Sequence, residues 1–102
     1  MNVFVLVMFF LFPSVTTEAQ PVKGIVYDRQ GFLPSVTVTE LGTEDKNKAY
    51  TNHAGEFEIR TITPDPVLEF TFVGYAPKRI KIKKERFLKV KLKTDLLKYN
   101  DR

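Results

Sequence analysis

The second half of the chain alternates. Over residues 67–73 the apolar side chains Leu68, Phe70 and Phe72 fall on every second position. Residues 78–84 set Ile80 and Ile82 against Lys81 and Lys83, and residues 87–93 set Leu88, Val90 and Leu92 against Lys89, Lys91 and Lys93. Successive side chains of a β-strand point to opposite faces, so a period of two marks a strand buried on one side. An amphipathic helix needs apolar spacings of three and four, which these segments lack. The first half repeats the pattern in runs at 22–28, 33–41, 49–52 and 56–60. Turn formers divide them: Asp28-Arg29-Gln30-Gly31, the polar stretch 42–48, Asn52-His53-Ala54-Gly55 and Thr63-Pro64-Asp65-Pro66. Seven such runs predict an all-β chain, a seven-stranded Greek-key β-sandwich. The expected core is Val22, Val26, Leu33, Val36, Val38, Leu41, Phe57, Ile59, Leu68, Phe70, Phe72, Ile80, Ile82, Leu88, Val90 and Leu92.

The amino terminus breaks this pattern. Residues 1–12 are almost continuously apolar and uncharged, Pro13 and Ser14 interrupt them, and the stretch to Gln20 turns polar. This is the layout of a secretory signal peptide, with the cut expected after Ala19. It is too short for the roughly 20 apolar residues of a membrane span. The n-region lacks Lys and Arg, and the competing reading is an apolar element packed on the domain. The expected organisation is a signal peptide at 1–19, one β-sandwich domain at 20–93 and a carboxy-terminal tail at 94–102, with no membrane span in the mature chain. The expected location is the periplasm or the outer membrane surface. With no Cys, such a domain relies on its core rather than on disulfides. The mature chain would keep all 16 Lys and Arg and lose one of 12 acids, Glu18, for a net charge of +5.

Catalytic groupings are missing. One His, His53, and no Cys leave any zinc site almost wholly to carboxylates, and His53 reads as a polar turn residue. Ser35, the only Ser after the leader, has no Gly-x-Ser-x-Gly around it. The glycines form no phosphate-cradling loop, and the acids lack calcium-loop spacing. The expectation is a non-catalytic chain without a cofactor.

Charge is concentrated late. Lys78, Arg79, Lys81, Lys83, Lys84, Arg86, Lys89, Lys91 and Lys93 fall within sixteen positions, against the single acid Glu85. Read as a hairpin of two adjacent strands, the run presents Lys78, Arg79, Lys81, Lys83, Lys89, Lys91 and Lys93 as a binding patch for an envelope protein or an anionic envelope component. The same charges also serve as a solvated face that discourages edge pairing. Only Phe87 lies among them, which disfavours nucleic acid.

An ordered set of motifs carries a resemblance. Val22-x-Gly24-x-Val26-x-Asp28-x-x-Gly31-x-Leu33-Pro34-x-Val36-x-Val38 comes first, then Asn52-x-x-Gly55-x-Phe57-x-Ile59, then Leu68-x-Phe70-x-Phe72-Val73-Gly74-Tyr75. Together they resemble the carboxypeptidase-regulatory-like domain, over residue 22 to about residue 93. The resemblance implies a transthyretin (prealbumin)-like sandwich with an accessory role and no peptidase activity. The chain looks most like the Bacteroidetes version found in secreted and outer-membrane proteins. It implies an interaction module of the cell envelope or, alternatively, a truncated amino-terminal extension of a TonB-dependent outer-membrane nutrient transporter. Transthyretin-like hydrolases of purine breakdown use several His residues and a terminal Tyr-Arg-Gly-Ser motif, which this chain lacks. The sequence leaves the oligomeric state open.

Overall fold

In a computed structural model, which describes residues 21–95, the alternating runs become strands. They are β1 (Val22–Asp28), β2 (Gly31–Phe32), β3 (Thr37–Glu40), β4 (Lys48–Tyr50), β5 (Glu56–Ile59), β6 (Val67–Thr71), β7 (Lys78–Lys81) and β8 (Phe87–Lys91). The expected signal peptide and residues 96–102 of the tail lie outside the described residues. Ordered pairing reaches into the start of that tail, where Thr94 bridges Tyr75 and Asp95 N–H donates to Gly74 C=O at 3.0 Å.

Strand β1 is the axis of the first sheet. Gly24 lies between Phe57 of β5 and Leu88 of β8, and Tyr27 lies between Phe32 of β2 and Lys91 of β8. Strands β5 and β2 therefore follow one another along one edge of β1, both antiparallel, while β8 runs parallel along the other edge. The second sheet has the order β4-β3-β6-β7 and is antiparallel throughout. The two sheets pack face to face as a β-sandwich.

The sandwich matches expectation, but the described residues form eight strands rather than seven. The run at 33–41 does not stay in one sheet. Gly31 and Phe32 return along β1, and the chain then turns at Pro34-Ser35 and crosses to the second sheet. Pro34 has no N–H for a ladder, and Ser35 sits at φ 63° in the left-handed region, so a strand cannot run through them. Thr51 fixes this crossing. Its buried hydroxyl donates to Leu33 C=O at 2.7 Å and accepts Val36 N–H at 2.9 Å.

All thirteen buried hydrophobics among the described residues belong to the sixteen expected core positions. Phe72 and Ile80 are partly buried against that core, and Leu41, one residue past β3, is half-buried. Phe57 and Phe70 meet edge to face across the sandwich, with centroids 5.3 Å apart. Gly24 is required by this packing. A Cβ there would lie 2.4 Å from Leu88 O and 2.7 Å from the Phe57 ring.

One charge is inside. Glu40 ends β3 on the same face as Val38 and is 0 % exposed. Its Oε1 accepts from Asn47 Nδ2 at 2.8 Å and from Ile62 N–H at 2.9 Å. Its Oε2 accepts Thr63 N–H at 2.9 Å and the Thr63 hydroxyl. Asn47 Nδ2 also donates to Arg60 C=O at 2.7 Å, so the carboxylate ties two loops to the end of β3. Burial opposes the charge, but the bonds from Thr63, Asn47 and Ile62 outweigh it and hold the carboxyl below its ordinary range.

Candidate functional site

The basic segment does not form a hairpin. Strand β7 is the edge of the second sheet and pairs with β6, whereas β8 is in the first sheet beside β1. Alternation fixes which face a strand buries and says nothing about its neighbour, so two consecutive basic strands were open to either arrangement. The structure nonetheless brings them near one another. Both are edge strands, and the start of β7 meets the end of β8 where Ala76 N–H donates to Lys93 C=O at 2.9 Å and Lys78 Nζ reaches Lys91 C=O at 3.4 Å. The result is a basic rim along one long side of the sandwich.

The register assigns each expected residue a place on this rim. Arg79 and Lys81 oppose Glu69 and Val67 on the outer face of the second sheet. Lys78 opposes the buried Phe70, on the inward side of β7, and its amine emerges between the sheets towards Lys91. Lys89 and Lys91 oppose Ile25 and Tyr27 on the outer face of the first sheet, and Lys93 continues the same spacing beyond β8. Lys83 lies in the β7–β8 loop, where its N–H donates to Glu85 Oε1 at 3.0 Å. The Glu85 carboxyl is held low, mainly by its own backbone N–H and that of Lys83. All seven side chains are exposed. Arg79, 3.1 Å from Glu69, is the only one of them in an ion pair among the described residues. The rim therefore keeps most of its charge uncompensated.

A second feature abuts the rim and was not legible as a site. Asp28 Oδ1 accepts the N–H groups of Gln30 and Gly31, closing the β1–β2 turn, and Asp28 Oδ2 accepts the Tyr75 hydroxyl at 2.5 Å. The Tyr75 bond, then the Gln30 N–H, holds the Asp28 carboxyl below its ordinary value. Gly74 at φ 87° and the Tyr75 N–H bond to Phe72 C=O shape the turn that aims this ring. Two motifs far apart in sequence, Asp28-x-x-Gly31 and Phe72-Val73-Gly74-Tyr75, thus form one latch. Tyr75 also lines a groove of about 660 Å³ between the Asp28–Gln30 turn and Lys91, Lys93 and Thr94. The pattern that signals this latch is a turn acid and a turn tyrosine, which only long-range pairing joins.

His53 sits exposed in the Asn52–Gly55 turn, which Asn52 Oδ1 closes by accepting the N–H groups of Ala54 and Glu56. No group of three or more acidic or His side chains among the described residues is placed to hold a metal ion. No helix among them is long and apolar enough to cross a membrane.

The profile of the CarboxypepD_reg-like domain matches residues 22–101. No curated protein matches the chain significantly. Among solved structures, a chain of a type II cohesin–X-dockerin complex from Acetivibrio cellulolyticus, crystallised as an N-terminal interface mutant, superposes with a TM-score of 0.60 at 18% identity. The match covers 74% of this chain and 58% of that one, so this chain spans little more than half of the matched structure's length. At that identity the likeness is one of fold.

Proposed function

The chain belongs to the CarboxypepD_reg-like domain family, and from that premise we propose that it is a non-catalytic binding module of the cell envelope that holds an anionic component or an acidic protein surface along its basic rim. Domains of this kind are generally non-catalytic, which accords with the missing catalytic groupings. The observation that carries the reading is the rim itself. Lys78, Arg79 and Lys81 of β7 and Lys89, Lys91 and Lys93 at and beyond the end of β8 lie along the same edge of the sandwich, Arg79 and Lys81 turned to one outer face and Lys89 and Lys91 to the other, with Glu69 their one ion-pair partner among the described residues. Uncompensated charge along one edge raises the local concentration of anions and is screened by salt. The leader-like residues 1–19 support placement in the periplasm or at the outer membrane.

The test is affinity capture of the tagged protein's partners from envelope extract at low and high salt, beside a variant carrying Lys81→Glu, Lys83→Glu, Lys89→Glu and Lys91→Glu. Capture that falls with salt and is lost in the variant supports the rim. Capture identical in both proteins at both salts sinks it. A second reading, an amino-terminal extension of a TonB-dependent transporter, draws on the Bacteroidetes-like motif set ending in Phe72-Val73-Gly74-Tyr75. Coding sequence for a plug and barrel directly downstream would support it, and an unrelated gene there would remove it.

A further inference from the structure

The outer face of the first sheet is divided by charge into columns. Along β8 it presents Phe87, Lys89 and Lys91, and along β1 Lys23, Ile25 and Tyr27. Along β5 and β2 it presents Glu58, Glu56 and Phe32. Each row is fixed by the register: Phe87–Lys23–Glu58, Lys89–Ile25–Glu56 and Lys91–Tyr27–Phe32. One edge of the face is therefore basic, the other acidic, and the middle is largely apolar. Phe32 and Phe87 are 60% and 55% exposed at opposite corners. Neither Glu56 nor Glu58, and neither Lys89 nor Lys91, is in an ion pair among the described residues.

We propose that this face is a self-complementary surface that pairs two copies of the chain. A two-fold axis laid along β1, in the plane between two facing sheets, exchanges left and right while leaving each row level. It sets Lys89 of each copy over Glu56 of the other and stacks Ile25 on Ile25 and Tyr27 on Tyr27. It also sets Lys91 over the exposed ring of Phe32, a cation–π arrangement. The two Lys23 side chains meet near the axis, each flanked by the Glu58 carboxylates of both copies. An axis across the strands would instead set the lysine column on itself, so charge selects one orientation. The surface is isologous, the form that closed dimers use.

Size sets the strength. Rows two residues apart are about 6.8 Å from one another and strands about 4.8 Å, so with side-chain reach the patch covers roughly 400 Å² per copy. That is about half the area that each partner buries in a standard stable interface. The dimer is therefore a weak one, at the small end of specific interfaces, and is sought at high protein concentration. Its pairing uses Lys89 and Lys91 and leaves Lys78, Arg79 and Lys81 on the other sheet. The inference stands apart from the anionic-partner reading, since no other molecule takes part in its test.

Sedimentation equilibrium of the purified protein up to about 1 mM tests it. The expected result is a monomer–dimer equilibrium that weakens at least several-fold between 50 mM and 500 mM salt, since such ion pairs are screened. Lys89→Glu/Lys91→Glu and Glu56→Lys/Glu58→Lys are each expected to be monomeric, and an equimolar mixture of the two to dimerise within threefold of the wild type. A wild type that stays monomeric, or a mixture of folded variants that fails to associate, overturns the proposal. Should either variant not fold, concentration-dependent amide shifts of the wild type decide: confined to β1, β2, β5 and β8 they support the face, and centred on β7 they overturn it.

Discussion

Glu40→Gln is the most informative single change in this fold. The substitution preserves volume and replaces one carboxylate oxygen by an NH₂ group. Turned one way, NH₂ faces the Thr63 N–H; turned the other, it faces Asn47 Nδ2 and the Ile62 N–H, which keeps only its longer 3.2 Å contact to Oε2. The Thr63 hydroxyl can rotate and accept instead; the Thr63 N–H and the Asn47 amide cannot. One donor left unmatched in either orientation costs about 1–3 kcal/mol, and the surviving bonds weaken because their acceptor is no longer ionised. Water entering beside the exposed Ile62 offsets part of this. The net expectation is about 3 kcal/mol, against a total stability of roughly 5–15 kcal/mol for a domain of ordinary stability. Guanidinium unfolding at pH 7 should lower the midpoint with an unchanged slope. The pH dependence then identifies the cause. The folded carboxyl titrates below its unfolded value of about 4.3, so its contribution is complete above roughly pH 5 and is lost as pH falls through the folded value. The gap between wild type and variant should therefore narrow on going from pH 7 to pH 3, since every other carboxylate is common to both. A gap below about 0.5 kcal/mol at pH 7, or one equally large at pH 3, would refute the reasoning, the first by showing that Glu40 is not held and the second by showing that shape rather than charge matters.

Two further outcomes follow from the packing. Gly24→Ala should cost about 3 kcal/mol in urea unfolding, because its Cβ would press on the Leu88 carbonyl and the Phe57 ring inside a sheet paired on both sides; a cost under 1 kcal/mol would mean that β8 is free to shift. Tyr75→Phe should return the Asp28 titration, followed by carboxyl NMR, upward towards its ordinary value while the fold persists, and an unmoved titration would show that the latch is not formed in solution.

What the sequence disclosed was local. Alternation assigned Leu68, Phe70, Leu88, Val90 and Leu92 to the inside, and all are buried, because a strand's own pleat determines which side chains share a face. The tip of β2 was missed because two residues are too few to show a period. The hairpin expected of the basic segment was wrong for a different reason: β7 and β8 choose partners by tertiary fit, with β6 and with β1. The burial of Glu40 at the end of β3 depends on donors 22 and 23 positions downstream, which no local pattern could offer. The face proposed for pairing was illegible for the same cause. Its lysine, apolar and glutamate columns come from stretches of sequence that only the β5–β1–β8 order sets side by side.

That order also sets a clock. Strand β1 pairs in parallel with β8, so Lys23 waits for Phe87, 64 positions later, before the middle of its sheet is complete. At a synthesis rate of about 5–20 residues per second, the interval between the two is roughly 3–13 s. Through that interval one edge of β1 is unpaired, although every strand of the facing sheet, β3, β4, β6 and β7, is made before β8. Pairings this distant in sequence also form slowly, typically in milliseconds to seconds even when the whole chain is present. Completion of the first sheet is therefore tied to the arrival of β8: the central strand is made first and secured along its second edge last.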